Sequence, residues 1–191
     1  MTRKTQKYLI QIAHNTLEYY FDTGKILEIS DAESLSFELR EEQGTFVTLT
    51  KNDELRGCIG HIEPIQAVYL DIIDNTLSAA FADSRFEPLT KDELNQIKIE
   101  ISILSKPQKL VYSSADDLLD KLVPSKHGVI ISLGKKDATY LPQVWEMFET
   151  NEEFLSSLCQ KAGILAEEWR RGKLELQIYE AEVFGENTKF T

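Results

Sequence analysis

Gly44-Thr45-Phe46-Val47-Thr48-Leu49-Thr50-Lys51-Asn52-Asp53-Glu54-Leu55-Arg56-Gly57-Cys58-Ile59-Gly60-His61 is the stretch whose reading decides the fold. Val47 and Leu49 alternate with Thr48 and Thr50, which is the two-residue period of a half-buried strand rich in β-branched side chains. Lys51-Asn52-Asp53-Glu54 is a polar tetrapeptide with turn chemistry, and a second strand follows at once. The segment therefore reads as a hairpin. In its second strand Arg56, Cys58 and Gly60 share one face, while Gly57, Ile59 and His61 share the other. Strand packing does not call for a guanidinium, a thiol and an imidazole on one short glycine-flanked segment. A site is expected there.

Outward from the hairpin, helices and strands follow in mixed order. Upstream, Leu9, Ile12, Ala13, Thr16, Leu17 and Tyr20 recur at three- and four-residue steps and predict an amphipathic helix over residues 5–21. Residues 22–43 are polar and irregular, an exposed loop with one short helix or turn. Downstream, Pro64 suits the first turn of a helix. Ile65, Val68, Tyr69, Ile72, Ile73, Thr76, Ala79 and Ala80 continue it as an apolar stripe. Such a helix would present free amides and a positive dipole end beside Cys58. Thr90-Lys91-Asp92-Glu93 has the form of a capping box. Ile97, Ile99, Ile101 and Ile103 then alternate with Lys98, Glu100 and Ser102, a clear strand. A short helix is predicted from Ser114 to about Leu122, a strand over 127–133 and a return strand over 138–141. A short helix follows from Pro142, then one over about 151–161 stopped by Gly163. A final strand runs from Lys173 through about Val183. Strands do not alternate regularly with helices, so the expected class is α+β with a mainly antiparallel sheet and packed helices. The expected organisation is a single domain over 1–191. Its large lobe comprises about 1–104 plus 146–191, and its small lobe about 105–145.

The bulk properties narrow the function. At 191 residues and 42% hydrophobic content the chain can bury a core without disulfides or structural metal. A net charge of −11 argues against non-specific nucleic-acid binding, which needs a basic face. No apolar run approaches the roughly 18 residues that span a bilayer. No long apolar region follows the basic Met1–Lys7 stretch, so a cytoplasmic location without membrane attachment is expected. Cys58 and Cys159 share no CxxC spacing and are joined by only three scattered histidines, so neither a metal nor a cofactor is expected. Cys159 sits at helical spacing and reads as a core thiol.

Leu55-Arg56-Gly57-Cys58-Ile59-Gly60 is identical to the LRGCIG signature of the AMMECR1 domain family, and the chain resembles that family in further blocks. These are Gly44–Leu49, Asp83–Thr90, Glu100–Leu104, Leu141–Trp145 and Leu158–Gly163, in the expected order over nearly the whole chain. The resemblance implies a two-lobed α+β fold with a cleft near the signature. It also implies company, because prokaryotic relatives occur beside, or fused to, a Memo-like protein and a radical S-adenosylmethionine protein. Memo-like proteins resemble metal-dependent ring-cleaving dioxygenases, so the resemblance implies an enzymatic or enzyme-assisting role. Lys135-Lys136-Asp137-Ala138-Thr139 departs from the glycine-richer turn of many relatives.

Three readings of Cys58 stand. It is a nucleophile activated by Arg56, His61 or a helix end, or a ligand contact, or a small residue packed where glycines allow close approach. A turn after Gly60 would be needed to bring His61 to the thiol as its catalytic partner. Arg56 has the fork for an anion, or else pairs internally with Glu63, Glu100 or Asp83. Arg85 and Phe86 order the rim as a second anion contact, or lock the helix exit. Glu100, if buried, needs Arg56 or Arg85 as a partner. Gln143 and Trp145 could line a pocket, although Trp145 suits the core. The expected substrate-binding set is thus Arg56, Gly57, Gly60, Arg85, Phe86, Glu100 and Gln143. Two functions are carried forward. One is an enzyme or enzyme subunit acting on an anionic small molecule or modified substrate around Arg56 and Cys58. The other is a non-catalytic adaptor working with Memo-like and radical S-adenosylmethionine partners.

Overall fold

Asn52 and Asp53 both take positive φ, 54° and 63°, as a two-residue type I′ turn requires. They close a hairpin of β1 (Thr45–Lys51) and β2 (Glu54–His61). Thr48 lies opposite Cys58, and a bulge falls between Leu49 and Thr50. The computed structural model describes residues 1–186. Its helices are α1 (Arg3–Thr23), α2 (Phe37–Arg40), α3 (Val68–Phe81), α4 (Ala115–Lys121) and α5 (Asn151–Lys161). The remaining strands are β3 (Ile97–Leu104), β4 (Gln108–Leu110), β5 (Gly128–Leu133), β6 (Lys136–Tyr140), β7 (Glu175–Tyr179) and β8 (Ala181–Gly185). They form two four-stranded sheets, ordered β2-β1-β3-β8 and β4-β7-β5-β6. The class is α+β with antiparallel pairing, as the mixed element order predicts.

The chain divides into two compact units. The first is Met1–Leu104 with residues 182–186, and the second is Ser105–Ala181. In the first, α1 and α3 cover one face of the β2-β1-β3-β8 sheet. Leu9, Ile12 and Leu17 of α1 and Ile72 of α3 share a buried cluster with Val47, Leu49, Ile99 and Ile101. Thr2 caps α1 by accepting from the Thr5 amide, and Gly24 ends it at φ 70°. In the second unit, the Trp145 ring stacks on Phe154 at 3.5 Å. Both are buried with Leu118, Val129, Cys159, Trp169 and Leu176.

Three expectations change. Helix α3 begins at Val68, not near Pro64. A bridge between Glu42 and Ala67, and a bond from the Val68 amide to the Glu41 carbonyl (2.9 Å), hold the preceding segment out of the helix. The predicted last strand is two strands, β7 and β8, broken at Glu180 and belonging to different sheets. The lobe boundary also moves, because most of 146–191 lies in the second unit rather than with residues 1–104. The reason is pairing and packing. Strand β7 sits between β4 and β5, and Phe154 of α5 meets the edge of Tyr140 on β6. Gly128 on β5 is also committed to β7, since a Cβ there would lie 2.3 Å from the Tyr179 ring.

Candidate functional site

The two faces of β2 carry different chemistry. On the face away from α3, Cys58 lies opposite Thr48, which in turn lies opposite Glu100. The Thr48 hydroxyl donates to the Cys58 sulfur at 3.2 Å. Thr48 and Glu100 also line a concavity of about 410 Å³ with Thr50, Asp53 and Lys98.

Strand β2 is a sheet edge, and at Cys58 side chains close it. The Cys58 amide donates to Asp83 Oδ2 at 2.9 Å, and Arg85 Nη2 donates to the Cys58 carbonyl at 3.3 Å. Asp83 and Arg85 thus stand where a neighbouring strand would pair, which blocks further pairing at that edge. They are themselves joined by a forked contact, Nε to Oδ1 at 2.9 Å and Nη2 to Oδ2 at 2.6 Å. The Arg85 guanidinium holds the Asp83 carboxyl well below the usual carboxylate range, against the opposing effect of burial. Arg85 also lies over the Phe86 ring, 5.5 Å from its centre. Arg85 therefore locks the helix exit onto β2.

Arg56 pairs with none of the expected carboxylates. Its Nε and Nη2 donate to the two oxygens of Glu93, each at 3.1 Å. Glu93 also accepts from Lys51 at 3.0 Å and from the Thr90 amide within a true capping box. Its carboxyl is held low, chiefly by Arg56. Glu100 is exposed and is paired with neither Arg56 nor Arg85.

The glycines of the segment are committed to close packing. A Cβ on Gly57 would lie 2.1 Å from the Ala79 carbonyl oxygen of α3. One on Gly60 would lie 2.2 Å from the Thr45 carbonyl oxygen and 2.3 Å from the Phe46 ring. Gln143 belongs to the second unit, in a 3-10 turn over Pro142–Met147.

His61 ends β2 on the opposite face from Cys58, so the regular strand does not bring thiol and imidazole together. It meets α3 instead. Its Nδ1 lies 2.9 Å from Asp71 Oδ1. The Asp71 side chain is 1% exposed and that of His61 41%. Asp71 Oδ2 accepts from Thr45 Oγ1 at 2.6 Å and Asn75 Nδ2 at 3.0 Å, and Oδ1 from Gln66 at a long 3.4 Å. A buried carboxylate ringed by donors thus holds one nitrogen of a half-exposed imidazole. Asp71 and Asn75 were not expected as site residues. Their signal was available, because each falls three residues after Val68 or Ile72, inside the apolar stripe, where a charged or amide side chain is out of place. Among the described residues no group of three or more His, Cys, Asp or Glu is arranged to hold a metal ion.

The AMMECR1 family model matches residues 10–184. The chain belongs to the AMMECR1 family. A Methanopyrus kandleri relative is 35% identical over 97% of this chain and 90% of its own length. A Methanosarcina barkeri relative is 37% identical over 93% and 88%. The crystal structure of an uncharacterized Pyrococcus horikoshii protein superposes with a TM-score of 0.86 at 29% identity. It covers 98% of this chain and 94% of that one. No described helix is long and apolar enough to cross a membrane.

The depressed carboxylates beside β2, Asp83 and Glu93, set an acid response. Both are held below their ordinary values of 3.8 and 4.5. Their contribution to stability is therefore full above those values and is lost as pH falls from there toward the native ones. Urea midpoints measured from pH 6 to pH 2 should fall, and the fall below about pH 4 should be shallower in Glu93→Gln, which has already lost that contribution.

Proposed function

We propose that this AMMECR1-family protein is an enzyme, or a subunit of one, that transfers a proton at His61. The observation that carries the reading is the His61–Asp71 pair, a buried carboxylate held against one nitrogen of an imidazole whose side chain is 41% exposed. Imidazole is the side chain best suited to exchange protons near neutral pH, and an orienting partner makes that exchange efficient. A buried charge in an apolar layer is costly, so its presence beneath an accessible histidine favours a role beyond packing. The charged side chains between residues 61 and 74 are Glu63, Asp71 and Asp74, all acidic. They favour a neutral or cationic substrate over the anionic one expected around Arg56, whose guanidinium is taken by Glu93.

The test uses p-nitrophenyl acetate as a chromogenic reporter of an oriented imidazole. His61 Nε2 takes a proton from water, the resulting hydroxide attacks the acyl carbon, and p-nitrophenolate leaves. The wild-type chain should release nitrophenolate faster than His61→Gln by on the order of 100-fold, the usual scale of general-base assistance. Equal rates in the two proteins reject the reading.

An adaptor role is favoured by a different observation. Phe37 and Ile65 are 70% and 59% exposed, and Leu70 is also exposed beside Asp71. Such side chains serve protein contacts where they form a contiguous patch. Co-elution of the chain with a Memo-like or radical S-adenosylmethionine partner, lost in Ile65→Asp, would support that role. Co-elution unaffected by the substitution would remove these side chains from it.

A further inference from the structure

Asp71 is the least exposed carboxylate in the His61 network, and its partners other than His61 are all donors. Thr45 Oγ1 on β1 and Asn75 Nδ2 on α3 reach Oδ2 at 2.6 and 3.0 Å. Asn75 Nδ2 also donates to Thr45 Oγ1 at 3.0 Å and to the Thr45 carbonyl at 3.3 Å, so strand and helix are tied to the same carboxylate. Gln66 Nε2 spans Asp71 Oδ1 at 3.4 Å and Asp74 Oδ2 at 2.7 Å. With Oδ2 saturated by two short bonds, Oδ1 is the oxygen left for His61. A carboxylate oxygen can only accept, so the nitrogen facing it must carry the proton.

We infer that Asp71 is the positioning residue of this site, that it fixes neutral His61 as the Nδ1–H tautomer, and that Nε2 is thereby left unprotonated as the proton acceptor. This rests on the reading of His61 as the proton-transferring group. Thr45 and Asn75 hold the carboxylate so that it cannot rotate away. The chain carries its own control. His127 Nδ1 accepts from the Val123 amide at 3.2 Å, so neutral His127 must be the opposite, Nε2–H tautomer. One protein should display both tautomers. The cause in each case is the hydrogen bond made by the nitrogen facing inward, which sets the state of the other.

The test is a long-range ¹H–¹⁵N spectrum of the side-chain imidazoles of the full chain, recorded at a pH where the histidines are neutral. His61 is assigned through His61→Gln and His127 through His127→Gln. The expected result is Nδ1–H for His61 and Nε2–H for His127, with His61 losing its Nδ1–H preference in Asp71→Asn. An Nε2–H signal for His61 in the wild-type protein overturns the inference. So does an unchanged Nδ1–H signal in a folded Asp71→Asn. If Asp71→Asn does not fold, the wild-type spectrum decides alone. Nitrophenolate release separates this inference from the functional reading. Nδ1–H at His61 with equal rates in wild type and His61→Gln rejects the reaction but leaves the positioning. Nε2–H with a rate lost in His61→Gln rejects the positioning alone.

Discussion

Gly57→Ala should be among the most destabilising single substitutions in the first unit, lowering stability by about 3 kcal/mol. The new Cβ would stand 2.1 Å from the Ala79 carbonyl oxygen and 3.0 Å from the Ala79 carbonyl carbon. Both are backbone atoms in the last part of α3, so no rotamer change relieves the clash. Either α3 lifts from the sheet or β2 shifts along β1, and a shift in register would move side chains to the wrong face. Loss of the α3 contact would also unpack Ile72 and Ala79 from the shared core. Urea unfolding followed by far-ultraviolet circular dichroism measures the change. An unchanged midpoint would mean that α3 does not approach β2 this closely.

Asp83→Ala should cost about 2–3 kcal/mol and loosen the edge of β2 at Cys58. The Asp83 side chain is 4% exposed, so its loss leaves donors behind in a site closed to solvent. Those donors are the Cys58 and Arg85 amides and two guanidinium nitrogens of Arg85. The Arg85 side chain is 54% exposed, so water can take over much of its share. Most of the cost therefore lies at the amides. Hydrogen exchange should report it locally, with the Cys58 amide losing protection in Asp83→Ala and keeping most of it in Arg85→Ala. Equal loss in both variants would show that the carboxylate protects the strand edge only while the guanidinium holds it, and would contradict the assignment of most of the cost to the amides.

The parts of the fold that follow a local rule were legible in the sequence. The hairpin could be read from alternation plus Asn52-Asp53, β3 from its four isoleucines, and α1 and α5 from spacing and caps. The segregation of Cys58 and Gly60 from His61 also follows from the strand period alone, whereas the bulge opposite Leu49 and Thr50 takes Arg56 out of that alternation. What could not be read depends on residues distant in sequence. Helix α3 starts late because Glu41 and Glu42 bond to residues 67 and 68. The last strand splits because its halves pair in different sheets. Arg56 finds Glu93, 37 residues away, through a capping box whose glutamate serves two purposes. Asp71 is the instructive omission at the site. A stripe counted only by its apolar members passes over the polar residues that interrupt it, and those interruptions place a carboxylate under an imidazole.

The segment from Leu55 to His61 thus carries a thiol on one face and an oriented imidazole on the other. The central claim is that chemistry belongs to the imidazole. The thiol is held by a strand edge clamped at its backbone and a threonine hydroxyl at its sulfur. The direct measurement is nitrophenolate release by Cys58→Ser and His61→Gln side by side with the wild-type chain. Cys58→Ser should retain the wild-type rate and His61→Gln should fall to background. Loss of the rate in Cys58→Ser with its retention in His61→Gln would contradict the account.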